Sequence, residues 1–128
     1  EITSEGIAVV QDLKYVWVNR AACEILGYSE QDLLALSVMD TTVPDLRKKL
    51  ESVDKQILAG SQLEQPTEWL ALRGDRTLRY LKAFGYPIKF RGRTAVLSVF
   101  YDVTEEKKMR DELHLRSQIL DLVTGRAG

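Results

Sequence analysis

Two short apolar runs open the chain, residues 6–10 and 14–19, and the three residues between them, Gln11, Asp12 and Leu13, suit a β-hairpin. In the second run Tyr15 and Trp17 alternate with Val16 and Val18, so neither face is polar and both sides of that strand are expected to be covered. Asn19 is placed to cap a helix over 20–26, which Gly27 closes in the left-handed conformation that glycine tolerates. Ser29, followed three residues later by Asp32, forms a capping-box pattern and predicts a second short helix carrying Leu33, Leu34 and Leu36. Thr41, Thr42 and Pro44 introduce a longer helix in which Leu46, Leu50, Val53, Ile57 and Leu58 keep helical spacing and Gly60 marks the stop.

A polar link over 60–66 leads into three runs rich in β-branched and aromatic residues, 67–73, 77–90 and 93–103, with turns at Gly74-Asp75 and Gly92. Two strands, several helices and then three strands predict an α+β fold, an antiparallel sheet with its helices gathered on one face. Thr104 is placed to cap a last helix whose first turn holds Glu105 and Glu106, acids at the positive end of the helix dipole.

Composition narrows the function classes. The 128 residues are 45% hydrophobic and 29% charged, which fits one globular domain. Lys plus Arg (18) nearly cancels Asp plus Glu (19), so no broad field draws in phosphate backbones or anionic lipid. Nucleic acid and direct membrane contact are therefore not expected, and the basic triplet Arg47, Lys48 and Lys49, with no aromatic interleaved, reads as solvated helix surface. The single Cys23 allows no internal disulfide, and no apolar run approaches the roughly 20 residues that span a bilayer. A reducing, cytoplasmic setting is expected. The sequence starts without Met or a signal peptide and reads as part of a longer protein whose output lies elsewhere.

Residues Asn19-Arg20-Ala21-Ala22-Cys23-Glu24-Ile25-Leu26-Gly27-Tyr28-Ser29 resemble the asparagine, small-residue helix and Gly-Tyr-Ser turn of the PAS family. Asp102-Val103-Thr104-Glu105 resembles that family's Asp-x-Thr element, and Tyr86-Pro87-Ile88 lies in the long strand between the two motifs. The resemblance covers nearly the whole chain. It implies a PAS fold: a five-stranded antiparallel sheet, with short helices and one long helix on one face, cupped around a small-molecule pocket. It also implies a C-terminal linker helix feeding a kinase, a cyclase or a further sensor. The chain then divides into a sensor domain, 1–103, and an amphipathic signalling linker, 104–128. PAS domains mostly sense, dimerise and transmit, so the expectation is a non-catalytic module of a multidomain signal-transduction protein, as in two-component systems.

Flavin-binding photoreceptor PAS domains carry a reactive Cys just after the short helices. Here Leu36-Ser37-Val38-Met39-Asp40-Thr41 has no thiol, and Cys23, on the first helix, reads as a small apolar residue. The sheet positions that hold the isoalloxazine edge in that family fall on Ala71, Leu81 and Phe100, whose side chains cannot hydrogen-bond it. Haem-binding PAS domains ligate iron through a His of the long helix, and 45–59 has none; the one imidazole, His114, sits in the terminal helix. One His and one Cys do not build a usual zinc site. No cofactor is predicted, flavin and haem are argued against, and a small apolar or weakly polar ligand stays open.

Strand alternation on the same register turns Ala71, Leu81, Ala83, Gly85, Ser98 and Phe100 towards the helices. Several of these are small, and Ala22 stands where the family often carries an aromatic. Either a cavity remains, with Trp17, Asn19, Ala22 and Trp69 completing its lining, or Trp17, Trp69 and helix leucines fill the space, because interiors pack densely. The opposite register exposes Tyr80, Phe84, Tyr86, Leu97, Val99 and Tyr101, an apolar face that calls for a cover, and a homodimer is the expected one. In the last helix Met109, Leu113, Leu120 and Val123 fit an interrupted heptad seam, widened by Leu115, Ile119 and Leu122. That helix pairs between subunits as a coiled coil or folds back on the sheet. Asp102 and Thr104 are the candidate relay from pocket to helix. Leu122-Val123-Thr124 repeats the character of Glu1-Ile2-Thr3, as though the linker were entering a further module.

Two other classes compete. A small enzyme on a similar cupped scaffold needs a pocket acid or base, and the sequence does not bring Asp40, Asp54 and Glu68 together. A hetero-protein interaction module would use the outer sheet face. No catalytic residue and no metal ligand is assigned.

Overall fold

In the computed structural model, which describes residues 5–61 and 65–125, β1 (Glu5–Gln11) pairs with β2 (Lys14–Val18) through a turn at Asp12 and Leu13. These two residues take φ of 54° and 66°, the pair of positive values that a tight two-residue hairpin requires. Then follow α1 (Arg20–Leu26), α2 (Glu30–Leu33), a 3-10 turn (Pro44–Leu46), α3 (Arg47–Leu58), β3 (Thr67–Leu72), β4 (Leu78–Phe90), β5 (Arg93–Asp102) and α4 (Thr104–Thr124). The strands form one antiparallel sheet in the order β2-β1-β5-β4-β3, the expected α+β architecture. The outer ends of the 1–103 and 104–128 division, the Glu1-Ile2-Thr3 motif and the middle of the 60–66 link lie outside the described residues.

One loop closes the sheet into a cup. Its two edges are β2 and β3, and the segment between α2 and α3 bonds to both. Tyr15 N donates to Leu36 O (3.2 Å) and Val38 N to Leu13 O (2.8 Å) on one side; Leu72 N donates to Thr41 O (2.9 Å) on the other. Edge groups that would template pairing with another chain are thereby occupied, and the edges are drawn towards each other.

Local sequence sets the helix ends. Asn19 Oδ1 accepts from Ala22 N (2.9 Å) and from Ile7 N (3.0 Å), while Nδ2 donates to Glu5 O (3.0 Å), so one side chain caps α1 and fastens it to β1. Asn19→Ala is expected to lower the unfolding free energy by about 2 kcal/mol in urea, a cap plus a bridging hydrogen bond; a loss under about 0.5 kcal/mol would contradict the fastening role. Gly27 closes α1 at φ 73°, and Ser29 Oγ accepts from Asp32 N (3.1 Å) to start α2.

Three features depart from expectation. Val9 pairs with Trp17 but Val10 pairs with Tyr15, so Val16 is the extra residue of a β-bulge. Tyr15 and Val18 both turn into the core, while Trp17 turns out and stays 46% exposed, so β2 is not covered on both sides. Next, α2 ends at Leu33; Leu34 is exposed, and Leu36 packs on the core from the loop. Finally, Thr104 is the first residue of α4 rather than its cap, a position Val103 takes without a side-chain bond.

Candidate functional site

A cavity of about 130 Å³ lies between the concave side of the sheet and the helices. Its buried wall comes from Val10, Ala71, Leu81, Val96 and Phe100 of four strands, Leu26 of α1 and Ile57 of α3. Missing volume explains the space: Ala71, Ala83 and Gly85 line it, and the bulge has removed the Trp17 ring. Trp69 covers one side, and its Nε1 donates to Thr42 Oγ1 (3.2 Å). Thr41 and Thr42 donate to Val38 O (3.2 and 2.8 Å), so at Thr41 the Tyr15 hydroxyl is the donor across 2.6 Å. Burial pushes the Tyr15 phenol up to about 12, and it stays neutral. These polar groups satisfy one another and leave an apolar interior.

The rim is more polar. Gln65 Oε1 accepts from Gly85 N (2.8 Å) and its Nε2 donates to Gly85 O (3.2 Å), completing the β4 edge where β3 has ended. Asp54 of α3 also lines the cavity, and burial pushes its carboxyl above its ordinary range, with the negative charge of Asp12 adding to the effect.

Of the residues singled out in the sequence, Trp69, Ala71, Leu81, Ala83, Ser98 and Phe100 line the cavity, as does Gly85. Trp17, Asn19 and Ala22 do not: the first faces out, the second is spent on the α1 cap, and the third, on the inner face of α1, is wholly buried in the core. Asp54, weighed in the sequence only as a possible pocket acid, lines the cavity: it falls four residues after Leu50 and three before Ile57, on the inward stripe of α3. Asp40, bonded to Ser37 N (2.9 Å), and Glu68 on β3 are exposed, and neither lines the cavity with Asp54.

Among the described residues the lining offers no His, Cys or Met, and its one phenol, Tyr15, is buried and donates to Thr41. Cys23 is half-buried on α1, where burial pushes its thiol up, followed by the charge of Glu30, and His114 is exposed on α4. Among the described residues no group of three or more His, Cys, Asp or Glu is placed to hold a metal ion.

On the outer face of the sheet Tyr80 and Tyr86 are exposed, while Phe84, Leu97, Val99 and Tyr101 are half-buried. Phe84 also borders the cavity, and its ring meets Tyr101 edge-on, with centroids 6.4 Å apart. Tyr101 donates to the Glu5 carboxylate, which holds its phenol above the ordinary range.

At the end of β5, Asp102 Oδ1 accepts from both Thr104 N (3.0 Å) and Thr104 Oγ1 (2.6 Å). Thr104 Oγ1 in turn accepts from Tyr80 N (2.9 Å), and Val103 N donates to Tyr80 O (2.8 Å), so the root of α4 is tied into β4. Arg79 joins the cluster, 3.7 Å from Asp102 Oδ2 and 3.9 Å from Glu105 Oε2. Its part shows only in the register that sets Leu81 opposite Asp102. Beyond the first turn the apolar residues of α4 are bare: Met109 is 64% exposed, Leu113 57%, Leu120 53% and Val123 78%. The helix does not fold back on the sheet.

A curved antiparallel sheet around an apolar cavity, with its last strand locked to an emerging helix, defines an α+β domain with a hollow core and a helical exit. The family profile described as PAS domain matches residues 4–105, and the chain belongs to the PAS domain family. Solved structures agree. The PAS domain of a Desulfitobacterium hafniense protein aligns with TM-score 0.70 at 16% identity, over 78% of this chain and 93% of its own. A PAS domain from Colwellia psychrerythraea gives 0.71 at 18% identity, over 80% and 89%. A sensory box histidine kinase/response regulator from Burkholderia thailandensis gives 0.67 at 19% identity, over 91% and 90%. At these identities the likeness carries the fold. No curated protein sequence gives a significant match. Among the described residues no helix is long and apolar enough to cross a membrane.

Proposed function

We propose that this PAS domain is a non-catalytic sensory and dimerisation module of a longer, cytoplasmic signalling protein. Its cavity takes a small, largely apolar molecule, and occupancy alters the packing of β4 and β5 and so the set of α4. The observation that carries this is continuity: Ser98 and Phe100 of β5 line the cavity, and Asp102, two residues further on, holds the first residue of α4. A volume near 130 Å³ is comparable to apolar cavities of about 150 Å³ that accept a benzene-sized guest. Native mass spectrometry of the purified chain, before and after incubation with benzyl alcohol, tests it. A bound small mass supports the sensor role; neither a co-purified nor an added guest would overturn it.

Homodimerisation through α4 and the outer sheet face belongs to the same reading, with 104–128 acting as linker to a further module. Support comes from the bare apolar side chains of α4 and from the exposed Tyr80 and Tyr86. A chain ending at residue 103 is expected to lose the dimer that the 128-residue chain forms in light scattering at high concentration. A full chain that stays strictly monomeric there would defeat the proposal.

A further inference from the structure

The cavity has one feature that an apolar guest alone does not answer. Among the residues lining it Asp54 is the only carboxylate, and among the described residues it makes no hydrogen bond and no ion pair. Neighbouring polar groups are otherwise engaged. The nearby acid Asp12 is paired with Arg93 (3.1 Å), both ends of the Gln65 amide are bonded to Gly85, and the Tyr15, Thr41, Thr42 and Trp69 network is complete. A half-buried carboxylate beside apolar walls costs stability unless a cation compensates it, and no cationic side chain lines the cavity.

We propose that the cavity is selective for a small hydrophobic amine, a compact apolar body seated among Leu81, Val96 and Phe100 with its ammonium group against the Asp54 carboxylate. This rests on the sensor reading above and deepens it. The walls supply most of the contact area, as in most small-molecule sites, and the single charge supplies orientation. An N–H donor against an ionised carboxylate makes a charge-assisted bond, stronger than a neutral pair and strengthened further by the apolar surroundings. Val53 and Ile57 share the helix stripe of Asp54 and line the same space, so its carboxylate borders apolar side chains.

The test uses two probes of nearly equal shape, benzylamine and benzyl alcohol, titrated into the 128-residue chain at low ionic strength by calorimetry. Benzylamine is expected to bind about tenfold more tightly than benzyl alcohol, equivalent to about 1.4 kcal/mol. In Asp54→Asn, a near-isosteric change at a half-exposed site, benzylamine and benzyl alcohol are expected to bind with equal affinity. Equal affinities for the two probes in the unaltered chain would overturn amine selectivity and leave the cavity reading standing. Binding of neither would remove both. The comparison in the unaltered chain needs no variant, so it decides the matter even where Asp54→Asn folds poorly.

Discussion

Gly74→Ala is expected to lower the unfolding free energy by about 3 kcal/mol, whereas Gly85→Ala costs less than about 1 kcal/mol. Each added methyl group would overlap a neighbour, and the difference lies in what the neighbour can do. A Cβ on Gly74 meets the carbonyl oxygen of Gly27, a backbone atom in a residue at φ 73° that terminates α1. That end of α1 is fixed from the same turn: Gly74 N donates to Leu26 O (3.0 Å), and Arg73 donates to Ile25 O (2.9 Å) and Glu24 O (3.0 Å). Relieving the overlap therefore breaks several bonds that satisfy otherwise orphaned helix carbonyls. A Cβ on Gly85 overlaps Ile57 Cδ1 at 2.6 Å, the free end of a side chain bordering the cavity, and otherwise makes an ordinary contact with Val96 Cγ1 at 3.6 Å. Urea denaturation of both variants reads the contrast. The Gly85 substitution also takes up cavity space, so it is expected to weaken benzyl alcohol binding while the fold stays stable. Equal destabilisation by both substitutions would mean that the space beside Ile57 is not compliant.

What was legible in the sequence divides along the range of the interactions. The caps at Asn19, Gly27 and Ser29 could be read because each bonds within four residues of itself. The inner faces of β4 and β5 could be read from alternation over long strands, and Leu81, Ala83, Ser98 and Phe100 reach the cavity, although Phe84, assigned to the outer face, borders it too. Trp17 could not be placed that way: a bulge is a property of two strands, and only the pairing of β1 with β2 shows that Val16 is extra. Trp17 as wall and Trp17 as filler were both natural expectations, and the outward turn of its ring disposes of both. Asn19 illustrates a different limit. Its position next to the sheet was readable, but its side chain has three backbone partners and nothing left for a ligand. Asp54 is readable as an acid but not as a wall residue, because the inward stripe of its helix shows in the sequence only through the apolar Leu50, Val53 and Ile57. Arg79 depended on strand register, as did the choice of Thr104 as clamp rather than cap.

Asp102→Ala is expected to release the root of α4, at a cost of about 2 kcal/mol to the domain. The Asp102 carboxylate accepts two bonds from Thr104, and hydrogen bonds to a charged acceptor carry more than neutral ones. Thr104 N is one of the amide groups at the start of α4 that lack a helical acceptor, and Val103 provides no side-chain substitute, so removing Asp102 leaves it unpaired in a residue only 2% exposed. The Arg79 ion pairs with Asp102 and Glu105 are long and partly exposed, so Arg79→Ala alone should cost only about 0.5 kcal/mol. Asp102→Asn keeps one acceptor oxygen and should fall between the two. Thr104→Val separates the hydroxyl from the backbone amide: it removes the bridge to Tyr80 N yet leaves Thr104 N bonded to Asp102. Because Asp102, Thr104 and Tyr80 act through one shared hydroxyl, the Asp102→Ala and Thr104→Val losses should fall short of additivity in the double variant. Hydrogen exchange gives the local readout: amides in the first turn of α4 and the paired Tyr80 amide should exchange faster in Asp102→Ala, while β1 and β2 keep their protection. On the sensor role proposed above, the same variant placed in a longer signalling chain should fold and take up the guest yet leave the output unresponsive. An Asp102→Ala chain with unchanged exchange at 104–108 and an intact response would show that the signal leaves the sheet by another route.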